Sequence, residues 1–265
     1  AEMTRTNLYF VGIFAVLSLV EGIGEDHNPQ PDYTIRCQST KGPFVINMVR
    51  AWSPRGADRF KDLVEEGYFD DGVGMFRVVK GFLVQFGISN NVSRNAAWEV
   101  KSPIPDDTRV LSTFKRGYVS FAGSGPNSRT TQTFICYQDN NHLGNAPWET
   151  PFGWISGYDM EKVVDNFYSE YGDIPHFGGK CPDQGRYSHE GGEYVKKEFP
   201  NLDYITSCRV TPKFIGAKLI EKTEEKIGTS FSVVLIASIC LALVFAILIA
   251  SRWAISGEGA AAKKD

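Results

Sequence analysis

The chain has 265 residues, 42% of them hydrophobic and 22% charged, with a formal net charge of −3. The apolar share is too high for a disordered chain, and the even charge balance excludes a nucleic-acid binder that works through a basic surface. The length admits one or two domains.

Residues 8–20 (LYFVGIFAVLSLV) are an uncharged apolar run, preceded by Arg5 and followed by Glu21, Gly22 and Gly24. The run is too short to cross a hydrocarbon core of about 30 Å. Its basic start, short apolar centre and small residues predict a secretory signal peptide over residues 1–24.

The body, residues 30–215, alternates strand-like and helical segments without an internal repeat. Residues 44–51 are β-branched and apolar. Ser53 and Pro54 then predict a helix start, with Ser53 as N-cap and Pro54 in the first turn. Phe60, Leu63 and Val64 follow at helical spacing. Residues 75–87 (MFRVVKGFLVQFG) read as two strands joined by a turn at Lys80 and Gly81. Asn91-Val92-Ser93 is a glycosylation sequon in loop-like surroundings, which makes Asn91 a glycosylation candidate. Residues 118–122 and 133–137 are two further strands around the turn-rich SGPNSRTT. Residues 159–168 predict an amphipathic helix capped by Asp159. Residues 172–201 are a polar, glycine-rich excursion in which 193–199 could form a short helix, and residues 204–210 are the last strand.

A charged stalk is expected over residues 216–229, and a transmembrane helix over 230–252, where the run FSVVLIASICLALVFAILIA is apolar on every face. Residues 253–265 would form a cytosolic tail. The ends together predict a single-pass type I protein of a secretory-pathway membrane or the cell surface, with its body lumenal or extracellular. Cys240 lies in the apolar run. Cys136, in the strand-like TFICY, reads as buried and free. Cys37, Cys181 and Cys208 leave room for one bridge in an oxidising compartment, with the pairing open.

His27, His142, His176 and His189 lack paired ligand spacing, and no CxxC, HExxH, phosphate loop or Gly-x-Ser-x-Gly occurs. No metal and no cofactor are therefore expected. What remains is a spaced set of strings: Phe76-Arg77 with Gly81-Phe82-Leu83-Val84-Gln85-Phe86-Gly87; Phe121-Ala122-Gly123-Ser124-Gly125-Pro126-Asn127; Thr131-Gln132-Thr133-Phe134-Ile135; and Pro151-Phe152-Gly153.

In these strings the chain resembles the cyclophilin family of peptidyl-prolyl cis-trans isomerases, over about residues 33–210. Residues 182–186 with 198–205 resemble an insertion of a divergent branch, here a membrane-anchored one. The resemblance implies a mainly β fold, a closed antiparallel eight-stranded barrel capped by two α-helices. It implies catalysis by Arg77, Phe82 and Gln85, with Leu83, Ala122, Gly123, Gln132, Phe134, His142 and Leu143 binding the substrate. Proline-containing peptide segments would be the partners, alongside the membrane and a possible membrane-protein complex. The alternative is a non-catalytic binding module, or a structural subunit of such a complex.

The pattern departs from the family at four places. His142-Leu143 stands where many members have Trp-Leu, the pocket histidine falls near Trp148 or Glu149, Gly123 replaces a frequent Asn, and Lys80 a common Pro. Trp148 would fold back to rebuild the wall, and a Glu at 149 would add negative charge beside the substrate.

Overall fold

The computed structural model describes residues 28–111 and 113–211. The expected signal peptide, stalk, transmembrane helix and tail lie outside them. Among the described residues no helix is long and apolar enough to cross a membrane.

The elements in chain order are β1 (Tyr33–Ser39), β2 (Gly42–Met48), α1 (Pro54–Glu65), β3 (Val73–Gly74), β4 (Arg77–Val79), β5 (Leu83–Phe86), α2 (Val92–Glu99), β6 (Tyr118–Phe121), β7 (Thr133–Cys136), β8 (Pro151–Ile155), α3 (Gly157–Lys162), α4 (Gln184–Glu198) and β9 (Tyr204–Thr211). The nine strands form one sheet in the order β3-β9-β1-β2-β8-β6-β7-β5-β4, and every ladder is antiparallel. Only Met75 and Phe76 separate β3 from β4, yet these strands stand at opposite ends of that order. Met75 and Phe76 thus link the two edges with no closing ladder among the described residues, and nine strands are found where a closed barrel of eight was expected.

Four α-helices occur among the described residues rather than two. The sequon segment is the first surprise: Asn91 caps α2, its Oδ1 accepting from the Ser93 and Arg94 amides. The excursion is the second, since α4 covers far more than residues 193–199. The helix kinks at Gly191 (φ 64°, ψ −147°), so residues 192–198 form its second stretch, close to the short helix expected, and a Cβ at Gly191 would lie 2.4 Å from the Asn90 carbonyl oxygen, which only glycine avoids. The expected helix over 159–168 is instead α3 followed by a 3₁₀ turn at Val164–Asn166. Ser156 caps α3, and Asp159 turns away to accept from the Val45 amide on β2 at 2.9 Å.

Alternation along the strands sorts side chains between two apolar clusters. Val84, Phe86, Val119, Phe121 and Ile135 face the main core, joined there by Ala57, Phe60, Leu63 and Val64 of α1. Phe60 stacks on Phe152 with centroids 5.0 Å apart, so truncating it to Ala costs about 3–5 kcal/mol. Leu83, Tyr118, Phe134 and Cys136 point the other way and form a smaller cluster with Val49, Phe114 and Trp154.

Ser53 precedes α1 as expected, but its side chain makes no cap bond. The cap comes from a distant carboxylate. Asp107 accepts from the Arg55 and Gly56 amides, both at 3.0 Å, and from the Ser53 hydroxyl at 2.6 Å. The fully buried Arg129 completes this knot, with Nη1 donating to Asp107 Oδ2 at 3.1 Å and to Ser53 Oγ at 3.2 Å, and Nη2 to the Pro105 carbonyl. Asp107 and Arg129 thus tie the 123–130 loop to the helix. Cys37 and Cys208 face each other across the β1–β9 ladder and form a disulfide. Cys136 and Cys181 are free and buried.

Candidate active site

The outward-facing residues of β4, β5 and β7 lie side by side because the register is exact to the residue: Arg77 pairs with Gln85, and Gln85 with Phe134. Residues far apart in the chain so become one strip across three strands. The strip opens into a groove of about 410 Å³ lined by Arg77, Phe82, Leu83, Gln85, Ala122, Gly123, Phe134, Leu143, Glu149, Asp173 and Phe177.

Its floor is apolar. Leu83 and Phe134 are each 4% exposed, and Phe134 stacks on Phe114 at 5.5 Å. Both belong to the smaller cluster, against which Phe82, Ala122 and Leu143 pack from the rim. Such a floor accepts a compact aliphatic ring without desolvating a polar group.

Its polar wall is a relay of side chains. Arg77 Nη1 donates to Gln85 Oε1 at 3.0 Å, and Gln85 Nε2 donates to Gln132 Oε1 at 2.8 Å. Arg77 Nε donates to Asp173 Oδ1 at 2.6 Å. The guanidinium carbon also lies 5.7 Å from the Phe82 ring centroid. Burial works against the Asp173 charge, but hydrogen bonds from Arg77 and the Ile174 amide outweigh it and hold the carboxyl below its ordinary value. Among the described residues Arg77 Nη2 has no protein acceptor.

The structure brings Arg77, Phe82, Leu83, Gln85, Ala122, Gly123, Phe134 and Leu143 into one groove. Gln132 stands behind Gln85 and lines a neighbouring cavity of about 180 Å³ with Tyr68, Asn95 and Thr131. His142 is the exception: it is exposed and outside the groove. Asn140 Oδ1 accepts from both the His142 and Leu143 amides, and this turn directs Leu143 inward and His142 out. The Trp148 ring lies against Gly123, where a Cβ would sit 2.7 Å from Trp148 Cδ1. A glycine at 123 is thus what lets Trp148 fold onto the rim. Glu149 lines the groove, with Oε2 accepting from the Gly144 amide at 2.9 Å.

Sequence reasoning missed Asp173 and Phe177, both from the 172–201 excursion. A half-buried guanidinium requires a partner, which was a signal that some carboxylate must approach Arg77, but nothing in the chain pattern said which.

A family model described as cyclophilin type peptidyl-prolyl cis-trans isomerase/CLD matches residues 33–170. The peptidyl-prolyl cis-trans isomerase CYP18-2 of Arabidopsis thaliana is 33% identical over 147 residues, which is 55% of this chain and 87% of the relative. The isomerase CYP65 of the same plant is 30% identical over 139 residues, 52% of this chain but only 23% of that longer protein. Among solved structures, a cyclophilin-type isomerase from Cryptosporidium parvum, determined in the presence of the dipeptide Ala-Pro, is 18% identical with a TM-score of 0.46, covering 68% of this chain and 99% of its own.

Proposed function

The chain belongs to the cyclophilin-type peptidyl-prolyl cis-trans isomerase family, and from that premise we propose that it speeds rotation about X-Pro bonds in extended peptide segments laid along the groove. The observation that carries this reading is a guanidinium clamped at Nε and Nη1, its Nη2 unclaimed, beside an apolar floor that fits a proline ring.

An X-Pro amide turns slowly because partial double-bond character sets a barrier of about 18–20 kcal/mol. In the twisted transition state conjugation is lost, and the prolyl nitrogen becomes a good hydrogen-bond acceptor. Arg77 donates to it there. The planar ground state offers that donor little, so the interaction lowers the barrier rather than merely tightening binding. Leu83, Phe82 and Phe134 grip the ring, the Ala122–Gly123 backbone meets the extended peptide, and Gln85 holds Arg77 while reaching the substrate backbone. None of these steps needs a nucleophile.

The purified full chain should accelerate exchange of an Ala-Pro peptide, and Arg77→Ala should lower that rate by about 10²-fold. Peptide binding without any acceleration would instead favour the non-catalytic binding module.

The apolar runs at 8–20 and 231–250 support a further element of the proposal, a type I anchor with the groove on the lumenal or extracellular side. The Cys37–Cys208 disulfide suits that compartment. Protease protection in sealed microsomes, lost on detergent addition, tests it, and digestion of the domain without detergent would refute it.

A further inference from the structure

The family model ends at residue 170, and the wall of the groove does not. Asp173 and Phe177 come from the segment just beyond. We infer that Asp173 is a positioning residue for the isomerisation, its carboxylate fixing Arg77 through Nε so that the Nη2 edge is presented to the groove. This rests on the isomerase reading above.

Three observations support it. The first is the clamp geometry. Gln85 alone holds the guanidinium at one nitrogen and leaves it free to pivot. Asp173 adds a second, charge-assisted bond at a different nitrogen, and two fixed points set the plane. The pair is also well shielded, with side chains 14% and 18% exposed. Arginine otherwise carries large rotamer entropy, which a clamp removes before substrate arrives.

The second is that Asp173 is itself held by backbone. Its carbonyl accepts from the Cys181 amide at 3.1 Å, the Lys180 amide donates to the Tyr171 carbonyl at 2.7 Å, and the Gly179 amide to the Ile174 carbonyl at 3.2 Å. A 3₁₀ turn at Pro175–Phe177 fills the loop. Gly179 comes so near that a Cβ would lie 1.8 Å from the Asp173 carbonyl oxygen. The Asp173 carboxylate also accepts from the Ile174 amide at 2.6 Å. A loop built this way delivers one carboxylate to one place.

The third is the division of labour inside the loop. Phe177 is 65% exposed at the groove edge, where a bound peptide would cover it. Asp173 points at Arg77 instead. The two residues should therefore separate kinetically, Phe177 in affinity and Asp173 in rate.

The test is exchange NMR on an Ala-Pro peptide at saturation with the purified full chain in micelles, which reports on-enzyme rate and Kd separately. Asp173→Ala should slow on-enzyme exchange about tenfold with Kd changed less than about twofold. Asp173→Ser, which still reaches the Ile174 amide but is too short for Arg77, should do the same and decides the matter if the Ala variant fails to fold. Asp173→Asn, which keeps an acceptor without the charge, should recover to within about threefold of wild type. In an Arg77→Ala background, Asp173→Ala should change the rate by less than about twofold. An unchanged rate in both the Ala and Ser variants of an active enzyme overturns the positioning role and leaves the isomerase reading intact. Loss of affinity in place of rate also overturns it, by making Asp173 a mere wall. Absence of exchange in the wild type would instead refute the isomerase reading itself.

Discussion

Asp107 is the most informative residue to remove, because one carboxylate serves a helix and a buried cation together. Asp107→Ala deletes the acceptor of the Arg55 and Gly56 amides at the start of α1 and the partner of Arg129 Nη1. Loss of a helix cap alone costs about 1 kcal/mol. Leaving one member of a buried pair uncompensated costs about 3–5 kcal/mol. Arg129 is fully buried, and its next carboxylate, Asp106, stands 3.8 Å from Nε, too far for a hydrogen bond, so the second figure governs. The two overlap, and the whole change should amount to about 3–5 kcal/mol out of a typical total of about 5–15. Urea unfolding should show a lower midpoint at unchanged slope. The acid limb gives a second reading of the same quantity. Burial raises the Asp107 carboxyl, but bonds from Ser53, the two amides and Arg129 prevail and hold it below its ordinary value of 3.8. Its contribution is thus whole above 3.8 and disappears as pH falls below it. Wild type and variant should converge in stability there. A midpoint shift worth under about 1 kcal/mol at pH 7, or a gap that persists undiminished in acid, would refute the reasoning.

Other expectations follow from separate features. Replacing Cys37 and Cys208 together by Ser should cost about 2–5 kcal/mol in urea unfolding while leaving on-enzyme exchange unchanged, since neither cysteine lines the groove. Gly179→Ala must push against the Asp173 carbonyl, and exchange NMR should show a rate loss of about tenfold, comparable to that of Asp173→Ala. With Arg77 neutralised by Asp173, Glu149 leaves the groove net negative. Calorimetry at low salt should therefore show a Lys-flanked proline peptide binding about threefold tighter than a Glu-flanked one, a preference that Glu149→Gln abolishes.

The groove residues of β5 and β7 were legible through their resemblance to the cyclophilin strings, and period two adds only which face they share. Leu83, Gln85 and Phe134 alternate with Val84, Phe86 and Ile135, and a strand sends such neighbours to opposite faces. The hairpin at Lys80–Gly81 was equally plain, and it alone brings Arg77 opposite Gln85. Asp173 was not legible, because it lies ninety-six positions from its partner in a segment with no periodicity. Helix α2 was obscured by its own cap, since Asn90, Asn91 and Ser93 read as loop until Asn91 is seen accepting amide bonds. Paired glycines at 191 and 192 hid the length of α4, which kinks at Gly191 against Asn90. The cap on α1 went to Asp107 because its two carboxylate oxygens take the Arg55 and Gly56 amides, while Ser53 is turned to donate to that carboxylate and to accept from Arg129 Nη1. His142 entered with Leu143 through the family's Trp-Leu position, and the strings do not carry the direction of the Asn140 turn that sends Leu143 inward and His142 out.

The bridge between β1 and β9 has a mechanical meaning. The described chain leaves the domain at Thr211, the end of β9, so any tension arriving from residues beyond it enters through that strand. Hydrogen-bonded ladders yield to such a load one rung at a time. Here Cys208 stops the peeling three residues in and hands the load to β1 through a covalent bond. On its other side β9 pairs with β3, which leads through Met75 and Phe76 to Arg77 at the wall of the groove. A pull at this end is therefore halted before Ile205 and Tyr204, the two rungs that hold β3 and, through it, the wall of the groove.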